Sequence, residues 1–222
     1  MPPRRPHSGE GAIAAAPARR AVKAVLIDIG GVLIPDYLPA AAAHWSTRLG
    51  ITQQAFLAAL FGGSDGQVLT GKVSEPAWWN TIAARLDAGP GALAELRRDL
   101  ASREMWDEAL VTLLRRLRGH AKTAIVSNAW PRTRASMAQA GMTDIADEIV
   151  LSCEVGYAKP DARIYRAALR HLAASPGDAL FIDDTPGHVT AAESLGMTGH
   201  VHTTTTGTIT RIEDFLGREP PA

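Results

Sequence analysis

Three apolar runs interrupt the chain, Ala24-Val25-Leu26-Ile27, Ala124-Ile125-Val126 and Ala179-Leu180-Phe181-Ile182. A strand with one wet face alternates, so runs that are apolar at every position predict strands buried on both faces, as in a parallel sheet. Between the first two runs the period changes. Residues 37–106 hold no strand-like run, and stretches such as Ala77-Trp78-Trp79-Asn80-Thr81-Ile82 carry helical spacing. Breakers at Gly62-Gly63-Ser64, Gly71 and Gly89-Pro90-Gly91 divide this insert into about four short helices. Residues 108–118, with Leu110, Leu113, Leu114 and Leu117 on one stripe, predict the helix that leads back into the second run. Strand and helix then alternate. Pro131 and Gly141 bracket one helix, Pro160 opens another over 161–172, Val201-His202 reads as a last short strand, and 209–216 as a closing helix. The intervening Thr203 to Thr206 reads as a solvated turn without chemistry. An α/β core of residues 21–36 and 107–222, with 37–106 inserted as helices, is the expected organisation.

In an open α/β sheet the ligand sits beyond the carboxyl ends of the strands, so the polar residues directly after the runs should converge. Those residues belong to motifs that occur in order: Asp28-Ile29-Gly30-Gly31-Val32-Leu33, Ser127-Asn128-Ala129, Lys159-Pro160-Asp161 and Asp183-Asp184. Ser127 and Lys159 also stand just before helix starts, where free N–H groups and the helix dipole favour a phosphate. Each motif alone has a plain structural reading: a helix cap for Ser127-Asn128, a solvated turn for Lys159-Pro160, a capping pair for Asp183-Asp184. Together they supply carboxylates, a hydroxyl and a cation to one crevice, as one reaction would require.

With these motifs in this order, residues 21 to 205 resemble the haloacid dehalogenase superfamily. They are similar to the phosphatase branch that holds sugar-1-phosphate phosphatases and the amino-terminal phosphatase domain of soluble epoxide hydrolases. The resemblance implies a Rossmann-like three-layer parallel-sheet core with an inserted helical cap of the C1 type. It also implies a phosphomonoester hydrolase in which Asp28 attacks phosphorus and forms an aspartyl-phosphate. Mg²⁺ would be held by Asp28, the Gly30 carbonyl and Asp184, with Asp183 behind or reaching it through water. Ser127, Asn128 and the Gly31 backbone would bind the phosphate, and Lys159 would balance both nucleophile and transferring group. A small phosphorylated metabolite would be the substrate.

One position departs from the pattern. The superfamily's phosphatases carry a second Asp two residues after the nucleophile, and here that residue is Gly30. Asp36, Tyr37, His44 and His188 are candidate replacements, with His188 read as a surface or capping residue. A sugar 1-phosphate releases a hemiacetal oxygen that needs little protonation, which makes a sugar phosphate a reasoned substrate. The alternatives are a weakly active or inactive relative that acts as a regulator, and a 2-haloacid dehalogenase.

Composition narrows the partners. Lys plus Arg and Asp plus Glu are each 23, so no basic excess favours nucleic acid. The lone Cys153 precludes an internal disulfide and fits a reducing cytosol. No segment approaches the ~18 apolar residues of a membrane span. Residues 1–20 read as a flexible tail, and the protein as a cytoplasmic monomer or homodimer. Trp45, Trp78, Trp79 and Trp106 concentrate in or beside the insert, where most should be core and at most one or two meet substrate. Arg103 and Lys72 are candidate cations for a substrate's distal groups.

Overall fold

The computed structural model describes residues 22–62 and 65–217. The tail expected over residues 1–20, and the Gly63-Ser64 part of the first breaker, lie outside the described residues. Strands β1 (Ala24–Ile27), β2 (Lys122–Ser127), β3 (Glu148–Leu151), β4 (Ala179–Asp183) and β5 (Thr198–Val201) pair in parallel in the order β3-β2-β1-β4-β5. Ile27 stands opposite Ile125 on one side and Ile182 on the other. This register brings Asp28, Ser127 and Asp183 to the same edge of the sheet.

The unbroken runs are explained by two apolar layers. Val25 and Ile27 join one, and Ala24 and Leu26 the other. β3 and β5 escaped the search for such runs because they are edge strands. Glu148 and Ile149 are only half-buried, and β5 (Thr198-Gly199-His200-Val201) is half-buried throughout. It also ends at Val201, one residue before the expected close.

The insert that follows β1 holds five helices: α1 (Leu38–Leu49), α2 (Gln53–Phe61), α3 (Asp65–Leu69), α4 (Glu75–Arg85) and α5 (Pro90–Ser102). The extra one relative to the sequence expectation, α3, is too short for periodicity to reveal. Trp45, Phe56, Leu60, Trp78, Ile82 and Leu96 form an apolar cluster belonging to this insert. Then follow α6 (Glu108–Leu117), α7 (Thr133–Gln139), α8 (Ser152–Val155), α9 (Ala162–His171), α10 (Pro186–Glu193) and α11 (Thr205–Leu216). Helices α6 and α11 contribute to the layer on Val25 and Ile27, and α9 and α10 to the layer on Ala24 and Leu26.

Two boundaries differ from expectation because side chains cap them. Asp161 lies outside α9 and accepts from the Arg163 N–H at 2.9 Å. Helix α11 begins at Thr205, since Thr204 caps it by accepting from the Gly207 N–H at 3.1 Å. The 203–206 segment is therefore a helix start rather than a loose turn. No helix among the described residues is long and apolar enough to cross a membrane.

Candidate active site

The carboxyl edge of β2, β1 and β4 gathers a buried ion network. Lys159 is almost fully buried, and its Nζ lies 2.8 Å from Asp28 Oδ1 and 2.6 Å from Asp183 Oδ2. Asp28 also accepts from the Ile29 N–H at 2.7 Å, which fixes the carboxylate at the turn after β1. Asp183 accepts from the Thr185 N–H at 2.9 Å and faces His188 Nδ1 at 3.0 Å. Asp184 is exposed and turns towards Gly31. Gly31 has φ +75°, and a Cβ there would collide with the Asp184 carboxylate. The glycine thus permits both the turn and the close approach of Asp184.

Asp28, Asp183 and Asp184 each place an oxygen within 4.8 Å of the others. Three carboxylates against one ammonium leave an excess of two negative charges, with Asp28 and Asp183 buried and Asp184 facing solvent. The consequence appears in their acidities. Burial pushes Asp28 above the usual carboxylate range and Asp183 adds repulsion, while Lys159 and the Ser127 hydroxyl pull the other way. Burial, then repulsion from Asp183 and Asp28, raises Asp184 as well. For Asp183 burial also opposes the charge, but His188, Lys159 and the Thr185 amide outweigh it and hold the group low. An all-oxygen donor set with two uncompensated charges fits a hard divalent cation such as Mg²⁺.

The structure brings Asp28, Ser127, Lys159, Asp183 and Asp184 together and gives some of them different neighbours from those expected. Asn128, read as a phosphate ligand, turns its amide to the Lys159 backbone: Nδ2 donates to the carbonyl at 3.0 Å, and Oδ1 accepts from the N–H at 2.7 Å. His188, read as a surface or capping residue, is largely buried against Asp183. Of the four substitute acids considered, it is the one that touches the cluster. Asp36 accepts from the Leu38 N–H instead, Tyr37 is half-buried and packs against the main core, and the His44 ring packs edge-on to Trp45. Gly30 is exposed, with open space where its Cβ would stand.

The tryptophans divide between core and interface. Trp45, Trp78 and Trp79 are buried in the insert, and Trp106 packs against the main core. Arg103 is paired with Asp99 at 2.8 Å, whereas Lys72 is exposed. Sequence reasoning missed three residues that shape the site's surroundings. Ser152 is fully buried and accepts from the Ala129 N–H at 2.9 Å. Asp107 caps α6 and accepts from the Thr205 hydroxyl. Trp130 meets Trp78 at a tilt of 53° and Trp79 edge-on. An Asp just before a helical stripe is a legible cap signal for Asp107; Ser152 and Trp130 act across space and leave no such trace. Beside the carboxylates, a cavity of about 370 Å³ is lined by Gly31, Asp36, Asp107, His202 and Thr203 to Thr205, and among the described residues no Lys or Arg lines it.

This sheet and site define a hydrolase class. The haloacid dehalogenase-like hydrolase family matches residues 22–196, and the chain belongs to it. Bifunctional epoxide hydrolase 2 of Sus scrofa is 29% identical over 201 residues, covering 80% of this chain but only 36% of that protein. A phosphatase of Mycobacterium tuberculosis is 29% identical over 141 residues, covering 62% of this chain and 64% of the relative. Among solved structures, a haloacid dehalogenase family enzyme of Bacteroides thetaiotaomicron in complex with magnesium and inorganic phosphate superposes with a TM-score of 0.68. It is 20% identical and covers 83% of this chain and 96% of its own. That likeness shows the fold.

Proposed function

We propose that the chain is a Mg²⁺-dependent phosphomonoesterase that works through an aspartyl-phosphate on Asp28. The observation that carries this reading is Lys159, buried between Asp28 and Asp183 at 2.8 and 2.6 Å while two negative charges remain uncompensated. A carboxylate attacks a phosphate dianion only when repulsion is cancelled. Asp28, Asp184 and the Gly30 carbonyl would hold Mg²⁺, with Asp183 behind them. The ion supplies charge neutralisation at the phosphoryl oxygens.

The protein's own residues do the rest. Asp28 forms the acyl phosphate bond as the phosphorus–oxygen bond to the leaving alcohol breaks, and water then hydrolyses the mixed anhydride. Lys159 offsets part of the burial that raises Asp28 and faces the transferring group, and Ser127 donates to a phosphoryl oxygen. Asn128 fixes Lys159 through its backbone, and His188 and Thr185 fix Asp183. The helical insert acts as a cap that excludes water until the anhydride has formed. With glycine at position 30, a sugar phosphate whose leaving oxygen needs little protonation is the favoured substrate.

Phosphate release from sugar 1- and 6-phosphates, with Mg²⁺ or EDTA, tests this in wild type and Asp28→Asn. Turnover that requires Mg²⁺ and vanishes in Asp28→Asn is expected. A folded, Mg²⁺-binding wild type without turnover would sink the reading, and metal-independent chloride release from 2-chloropropionate would replace it with dehalogenation.

A further inference from the structure

Residues 127–130 are one continuous segment, and each makes a different contact. Ser127 ends β2 beside Asp28. Asn128 grips the Lys159 backbone at both its N–H and its carbonyl. Ala129 is gripped in turn by the buried Ser152 hydroxyl, which accepts from its N–H at 2.9 Å and donates to its carbonyl at 3.4 Å. Trp130 leaves the core and joins the apolar cluster of the insert, its ring 4.3 Å from Trp78 and 6.0 Å from Trp79 between centroids.

The insert also reaches the other member of the Ala129–Ser152 pair. Gly71, in the connection between α3 and α4, has φ +70° and lies so close to the Cys153 carbonyl that a Cβ would collide with it. Cys153 follows Ser152 directly. Helix α4 therefore bears on one side of the hydrogen-bonded pair through Trp130, and the Gly71 connection bears on the other through Cys153. From Ala129 the route to the chemistry is short. Asn128 holds the Lys159 backbone, and Lys159 Nζ lies 2.8 Å from Asp28.

We propose that Trp130 is a positioning residue, through which the seating of the helical insert sets Lys159 and Ser127 against Asp28. Every link in the path is covalent, a hydrogen bond or a tilted or edge-on ring contact, so a displaced insert displaces the lysine. Misplacement of a catalytic group by about 1 Å can cost about 10²-fold in rate.

The kinetic half of the test rests on the phosphatase reading; the spectroscopic half does not. Full-length wild type, Trp130→Ala and Trp130→Phe are assayed with Mg²⁺ on acetyl phosphate, too small to depend on insert contacts, and on a hexose phosphate. The ¹H–¹⁵N resonance of the Lys159 amide is followed in the same proteins. Trp130→Ala should lower kcat by about 10²-fold on both substrates and shift the Lys159 resonance, and Trp130→Phe should restore most of both. A folded Trp130→Ala with wild-type kcat, or with a loss confined to KM for the hexose phosphate, overturns the proposal, as does an unmoved Lys159 resonance. Should Trp130→Ala fail to fold, Gly71→Ala strains the Cys153 side of the same pair and must show the same joint pattern. A wild type without turnover sinks the phosphatase reading, while the Lys159 resonance still decides the coupling.

Discussion

Adjacent glycines at 30 and 31 carry opposite constraints. Gly31 combines a left-handed backbone with the collision that a Cβ would make with Asp184, whereas Gly30 has ordinary φ and open space around its Cβ position. Gly31→Ala should therefore lower turnover by about 10²-fold and weaken Mg²⁺ binding, read by calorimetric titration. Gly30→Ala should stay within about 0.5 kcal/mol of wild type in urea unfolding. Equal damage from both would show that the Asp184 approach is not what Gly31 protects. Lys159 allows a sharper test of the buried network. Removing one partner of a buried ion pair costs about 3–5 kcal/mol because the remaining charge is left uncompensated. Lys159→Met should lose stability on that scale at pH 7, recover part of it in acid as the carboxylates protonate, and show no turnover. The candidate site residues stood out in the sequence because each follows an apolar run or directly precedes a proline. Their pairing did not: nothing in the order of residues says that Lys159 bridges Asp28 and Asp183 or that Asn128 holds the lysine.

At the scale of elements, strands enclosed on both sides were legible and edge strands were not. β1, β2 and β4 are central, so every side chain has an apolar neighbour above or below. β3 and β5 have a neighbouring strand on one side only, and their mixed polarity follows. Helix starts were legible where a capping side chain precedes an apolar stripe, as at Asp107, and less so where the cap is one threonine among several, as at Thr204. Asp161 gives this reasoning a number. It accepts from the Arg163 N–H, and the Arg163 side chain helps hold its carboxyl down at about 2. Asp161→Ala should destabilise the fold by about 1 kcal/mol at pH 7. Because the folded value lies below the unfolded one, the contribution is present above the unfolded carboxylate value and is lost as pH falls through about 2. Thermal unfolding of variant and wild type should therefore differ at pH 5 and converge towards pH 2. A pH-independent gap would assign the effect to helix propensity rather than to the ionised cap.

For the whole molecule, the relation between insert and core is the feature that sequence patterning could outline but not resolve. The helical spacing of residues 37–106 announced an insert, yet the contacts that seat it, Trp130 on α4 and Gly71 on Cys153, join residues far apart in the chain. The two connections between insert and core also influence each other electrostatically, since the charge of Glu104 in the second acts on the Tyr37 phenol in the first. Burial pushes the Glu104 carboxyl above its ordinary value, with Glu75 adding repulsion and Arg132 and Tyr37 pulling it down. Burial likewise raises the Tyr37 phenol, so the neutral hydroxyl is the form present at neutral pH. A carboxyl whose folded value is raised binds its proton more tightly in the folded state, so stability falls as pH rises through that value. Glu104→Gln removes this charge while keeping the side chain's size and polarity. The variant should match wild type near pH 4 and gain on it towards pH 7. The gain should stay below about 1 kcal/mol because the Glu104 side chain is exposed, and water screens its charge. Thermal unfolding across that range decides the point. A variant that loses stability as pH rises would show that attraction to Arg132 outweighs burial.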